Sequence, residues 1–73
     1  MTAVKTTADF TIEAIEVPYR YFFSRYFVVR EISCLNAFLN QDGFLILGIS
    51  GAGHFDTIDD AEVAIATFHL RQN

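Results

Sequence analysis

The sequence predicts a small α+β domain, a three-stranded and mostly antiparallel sheet followed by one C-terminal helix in the order β-β-β-α. Three observations predict it. Apolar and polar residues alternate over residues 9–17, a dense aromatic and β-branched block fills residues 19–34, and a capped segment of helical period closes the chain from Thr57 onward. With 73 residues the chain holds one small domain over residues 9–73, preceded by a segment at 1–8 that reads as a loose end or a late-pairing edge.

In the first strand Phe10, Ile12 and Ala14 alternate with Thr11 and Glu13, and the phase slips at Ala14 and Ile15 before Val17, which predicts a bulge near Ala14. Pro18 lacks a backbone donor and marks a turn or strand edge. The block that follows holds six of the eleven aromatic rings between Tyr19 and Phe27, with Arg20, Arg25 and Arg30 spaced through it. Its stretch Tyr26, Phe27, Val28, Val29 is apolar on both faces, as in a central strand, with Ser24 and Arg25 as a possible bend.

At strand spacing Tyr19, Tyr21 and Phe23 share one face with Arg25 and Phe27. Arg20, Phe22, Tyr26 and Val28 share the other. Residues 35–40 read as a connection, since Leu35, Phe38 and Leu39 fit one helical turn while Asn36, Asn40, Asp42 and Gly43 punctuate it. The continuous apolar run at 44–50, bounded by glycines, reads as a buried strand.

Thr57, with Asp60 three residues on, resembles a capping box and starts a helix reaching about Arg71. Asp59, Asp60 and Glu62 near its start and His69 and Arg71 near its end complement the helix dipole. Ile58, Ala61, Ile65 and Phe68 form one apolar stripe. Val63, Ala66 and Leu70 form a second that one sheet cannot cover, which assigns these three residues to self-association.

Composition narrows the function. Hydrophobic residues make up 52% of the chain, more than so small a sphere can hide, so exposed apolar surface and a homodimer are expected. Nine acids against five bases give a net charge of −4, which disfavours non-specific attraction to phosphate backbones or anionic lipid. Cys34 has no second cysteine to bridge, and Lys5 is followed by Thr6, Thr7, Ala8 and Asp9 rather than by an apolar signal core. A reducing, cytoplasmic setting is expected. The longest run without a charged residue, 43–55, is too short for a spanning helix, so no membrane association is expected.

No motif for a cofactor or metal emerges. The loop Gly48, Ile49, Ser50, Gly51, Ala52, Gly53 has the spacing G-x-x-G-x-G, lacks a Gly-Lys-Ser/Thr, and leads into Asp56, Asp59 and Asp60, which repel phosphate. His54, Asp56 and His69, with Cys34, match no zinc or calcium template. Cys34 beside Ile32 and Leu35 reads as a small buried hydrophobe, and Ser50 lies in no nucleophile elbow. The chain therefore reads as non-enzymatic, although a pocket at a dimer seam using His54 stays open.

The aromatic block supports three readings: a protein interface, core packing, or stacking of single-stranded nucleic acid. An RNA-recognition strand carries a glycine and sets its rings on one face. Here the neighbours Phe22 and Phe23, and Tyr26 and Phe27, point opposite ways. The reading adopted is a small acidic protein-binding module, a regulator or inhibitor that occupies a partner's surface through Tyr19, Arg20, Tyr21, Arg25 and Tyr26. Asp59 and Asp60 are candidates for mimicry of nucleic acid. Its size and charge are those of phage- or plasmid-borne inhibitors of bacterial defence systems, an association that no motif supports. A single-stranded nucleic-acid binder using residues 19–30 is the alternative.

Overall fold

The computed structural model describes residues 2–72, apart from the side chain of Tyr19. It is an α+β fold with one antiparallel sheet and one C-terminal helix. The sheet has five strands rather than the expected three, in spatial order β1-β2-β3-β4-β5: β1 is Thr2–Thr6, β2 Phe10–Tyr19, β3 Phe22–Glu31, β4 Ala37–Leu39 and β5 Leu45–Leu47. The helix α1 is Ile58–Gln72. The additional strands are β1, where the N-terminal segment pairs along β2 as an edge, and β4, where Phe38 pairs with Arg30 and Ile46 inside the presumed connection.

The β2–β3 register is unbroken from Phe10↔Glu31 to Tyr19↔Phe22, so the expected bulge at Ala14 is absent. The irregularity lies across the ladder, on β1 between Ala3 and Lys5. Pro18 sits inside β2 opposite Phe23, and the chain reverses two residues later at Arg20 and Tyr21. The aromatic block is thus split over two strands and a turn, with no bend at Ser24 and Arg25. β3 is the middle strand of the five.

Register places Phe10, Ile12 and Ala14 on one face with Val29 and Phe27, and this is the face the helix covers. Phe10, Ile12, Val29, Leu39 and Phe55 pack there against Ala61, Ala64 and Ile65, with Phe27, Ile58 and Phe68 around them. Phe10 meets Phe68 edge to face at 5.2 Å. The helix starts as its sequence predicts, with the Thr57 Oγ1 accepting from the Asp60 N–H at 3.1 Å. Thr57→Ala should cost about 1 kcal/mol and lower the melting temperature by about 4–8 °C, read by thermal circular dichroism.

No second layer covers the opposite face among the described residues. Val28 and Phe38 are nevertheless buried there. Glu13 lies opposite Val28 and Arg30 opposite Phe38, and the two charged side chains meet at 3.2 Å with the Arg30 guanidinium 5.0 Å from the Phe38 ring centroid. Their aliphatic stems act as a lid over the apolar residues. Arg30 Nε finds no hydrogen-bond partner among the described residues despite that distance, so its contact with Glu13 is an ion pair without hydrogen-bond alignment.

Two expectations about burial are corrected. The run at 44–50 is not a buried strand, because its strand is confined to Leu45–Leu47 and forms an outer edge with Leu45 and Leu47 exposed. Cys34 is exposed, since the chain leaves the sheet between β3 and β4 and its neighbours Ile32 and Leu35 face outward with it. Among the described residues no helix is long and apolar enough to cross a membrane.

Candidate functional site: a projecting aromatic arm

The helix, β1 and β4 all end their cover of the central hairpin near one level. Among the described residues the β1 pairing reaches to Thr2↔Ala14, the isolated bridge Phe27↔Phe55 is the last backbone pairing on the other edge, and no residue of the core cluster lies beyond the Ala14↔Phe27 pair. Past it β2 and β3 continue together for five more residue pairs, from Ile15↔Tyr26 to Tyr19↔Phe22. At a rise of about 3.4 Å per residue this is a two-stranded arm ~17 Å long. The molecule is accordingly elongated, 44 × 22 × 19 Å.

The arm's end is aromatic and poorly covered. Tyr21 is 100% exposed, Phe23 67% and Phe22 58%. Phe22 lies on the lidded face of the sheet and Phe23 on the helix face, so rings project on both sides. The turn places Arg20 at φ 56°, a conformation that glycine adopts freely and that costs other residues about 1–2 kcal/mol. Arg25 reaches Glu16 across the strands at 3.5 Å, a solvent-exposed pair of little energetic weight. An open groove of about 230 Å³ on the lidded face is lined by Val17, Phe22, Ser24 and Tyr26.

At the arm's base Tyr26 stacks on His54, with ring centroids 5.4 Å apart. His54 also borders a groove of about 460 Å³ that gathers Asp42, Asp56 and Asp60 beside the start of the helix. Asp60 is thus part of an acidic concavity adjoining the arm, whereas Asp59 does not line it. The predicted contact residues Arg20 and Tyr21 form the turn at the arm's end, whereas Arg25 and Tyr26 lie at its base, in the pairs Glu16↔Arg25 and Ile15↔Tyr26. Tyr19 closes β2, and its side chain lies outside the described residues. Phe22 and Phe23 were not among the expected contact residues, and their exposure beside the turn makes them further candidates.

Val63, Ala66 and Leu70 lie on the exposed side of α1, with Leu70 74% exposed. The loop after β5 forms a 3₁₀ turn at Ile49–Gly51, and Ser50 is exposed on it. His69 approaches Asp9 at 3.6 Å across the helix end, far along the chain from His54. Among the described residues no three His, Cys, Asp or Glu side chains are grouped to hold a metal ion. No protein-family model, characterised protein or solved structure matches the chain.

Proposed function

We propose that the chain is a non-enzymatic protein-binding module, a regulator or inhibitor that occupies a surface of a partner protein with its β2–β3 arm. The observation that supports this most is the arm itself: a ribbon with no third strand on either edge past Ala14↔Phe27 among the described residues, ending in the exposed Tyr21, Phe22 and Phe23 with Arg20 at the turn and Arg25 nearer the base. Two strands without a packing layer are at best marginally stable in water, so a ribbon of this kind gains order from what it touches. Tyr, Phe and Arg are also the residues enriched where interfaces concentrate their energy. The acidic groove of Asp42, Asp56 and Asp60 at the base favours a partner with a basic rim.

Rings pointing to opposite faces suit insertion into a cleft better than a single row of stacked bases. Capture from native cells with the tagged full chain, split into nuclease-treated and untreated halves, tests this. A stoichiometric protein that survives nuclease is the expected result. Recovery of nucleic acid instead, with binding that falls steeply as salt rises, would replace this reading with the single-stranded nucleic-acid one.

A further inference from the structure

The two outer strands of the sheet are built differently. β1 carries Lys5, which pairs with Glu62 at 2.9 Å, and its pairing is broken by an irregularity at Ala3 and Lys5, features that blunt an edge against further strands. β5 has neither. It lies within a run, 43–55, that holds no Asp, Glu, Lys or Arg, and it presents Leu47 at 75% exposure beside the exposed Leu45. In a chain of net charge −4, the strand itself sets no charge against a second copy, and the Arg71 guanidinium lies beside it, 3.9 Å from the Phe44 ring centroid.

The hydrogen-bond parity of β5 fixes what that edge offers. The Asn40 N–H donates to the Phe44 carbonyl and the Gly48 N–H to the Asn36 carbonyl, so residues 44, 46 and 48 direct their backbone groups inward to β4. Leu45 and Leu47 therefore direct theirs outward, to the open edge. The strand is also a palindrome, Leu45-Ile46-Leu47. A two-fold axis at Ile46 sets Leu45 of each copy against Leu47 of the other, and these are the residues whose outward N–H and C=O groups can exchange hydrogen bonds. The same axis places Phe44 opposite Gly48, where a Cβ would meet nothing within 4 Å, leaving room for the ring.

We infer that β5 is the seam of a homodimer, pairing antiparallel with β5 of a second copy to make one continuous ten-stranded sheet. The arm is remote from this seam, and the inference is independent of the arm's proposed role.

Sedimentation of the full chain should give two copies. Leu47→Lys, which adds a charge to an exposed position, should raise the dissociation constant by about 100-fold or more and leave the far-ultraviolet circular dichroism unchanged. Leu70→Glu and Tyr21→Ala should leave the dimer intact. In a Cys34→Ser background, Ile46→Cys should give a disulfide-linked dimer on mild oxidation, because facing residues in a non-hydrogen-bonded pair have Cα atoms about 4.5 Å apart, within disulfide reach. A folded wild-type chain that sediments as one copy, or a dimer that survives Leu47→Lys but is split by Leu70→Glu, would overturn the inference. Absence of the cross-link in a folded Ile46→Cys dimer would overturn the register.

Discussion

Tyr21→Ala is expected to weaken binding to the captured partner by about 30-fold or more, ~2 kcal/mol, the scale of an interface hot spot. The ring is fully exposed and contributes no core packing, so stability to urea should stay within about 0.5 kcal/mol of the parent. This separation of binding from stability distinguishes a contact residue from a structural one. Phe23→Ala should behave alike, with a smaller stability margin because Phe23 packs across from Pro18. Titration calorimetry with the purified partner, beside urea melts of each variant, measures both quantities.

Phe10→Ala is expected to have the opposite signature. Phe10 has no exposed surface, joins the core cluster on the helix face and meets Phe68 edge to face. Truncating a buried phenylalanine removes its transfer energy and leaves a cavity, together about 3–5 kcal/mol. Domains of this length typically hold roughly 4–11 kcal/mol of net stability, so the variant should be partly or wholly unfolded at 37 °C. Leu70→Ala, at an exposed helix position, should change stability by less than about 0.5 kcal/mol. A cooperative melt of Phe10→Ala near the parent's temperature would contradict the packing described above.

The helix was the most legible element in the sequence, because its signals are local: the Thr57 cap, acids at the start, bases at the end and a stripe of Ile58, Ala61, Ile65 and Phe68. The opposite facing of Phe23 and Phe27 against Phe22, Tyr26 and Val28 was legible too, since strand alternation needs no tertiary information, but the same alternation does not run on to Tyr19, which pairs with Phe22 across the turn at Arg20 and Tyr21. The hairpin turn was not. Tight turns usually announce themselves with glycine or asparagine, whereas this one uses Arg20 at positive φ, and Pro18 two residues earlier drew the expected break to the wrong place. β4 was hidden by its length of three residues, too short for a period-2 signal, and by the helical spacing of Leu35, Phe38 and Leu39.

An apolar run can be a buried strand or an uncovered edge, and only topology separates them. Leu45 to Leu47 reads the same in both settings, and its outer position follows from β4 taking the place beside β3. The bulge was expected from a phase slip that needs none: β2 alternates without a break, and Ile15 and Val17 take the face opposite to Ile12 and Ala14, while the irregularity in the ladder lies on β1 between Ala3 and Lys5. Of the candidate site, Tyr21 and Arg25 could be named as candidates from the aromatic and basic block alone, whereas their exposure is read from the structure. The sequence held no indication that β1, β4 and the helix would all stop short of them, and it is this shared limit that turns a strand into an arm.

The most direct test of the arm's role is nuclease-treated capture from the native cell, performed in parallel with the wild-type chain and a folded Tyr21→Ala, Phe23→Ala double variant. A protein partner retained stoichiometrically by the wild type and lost by the double variant is the predicted result. Equal recovery of that partner by both chains would contradict it.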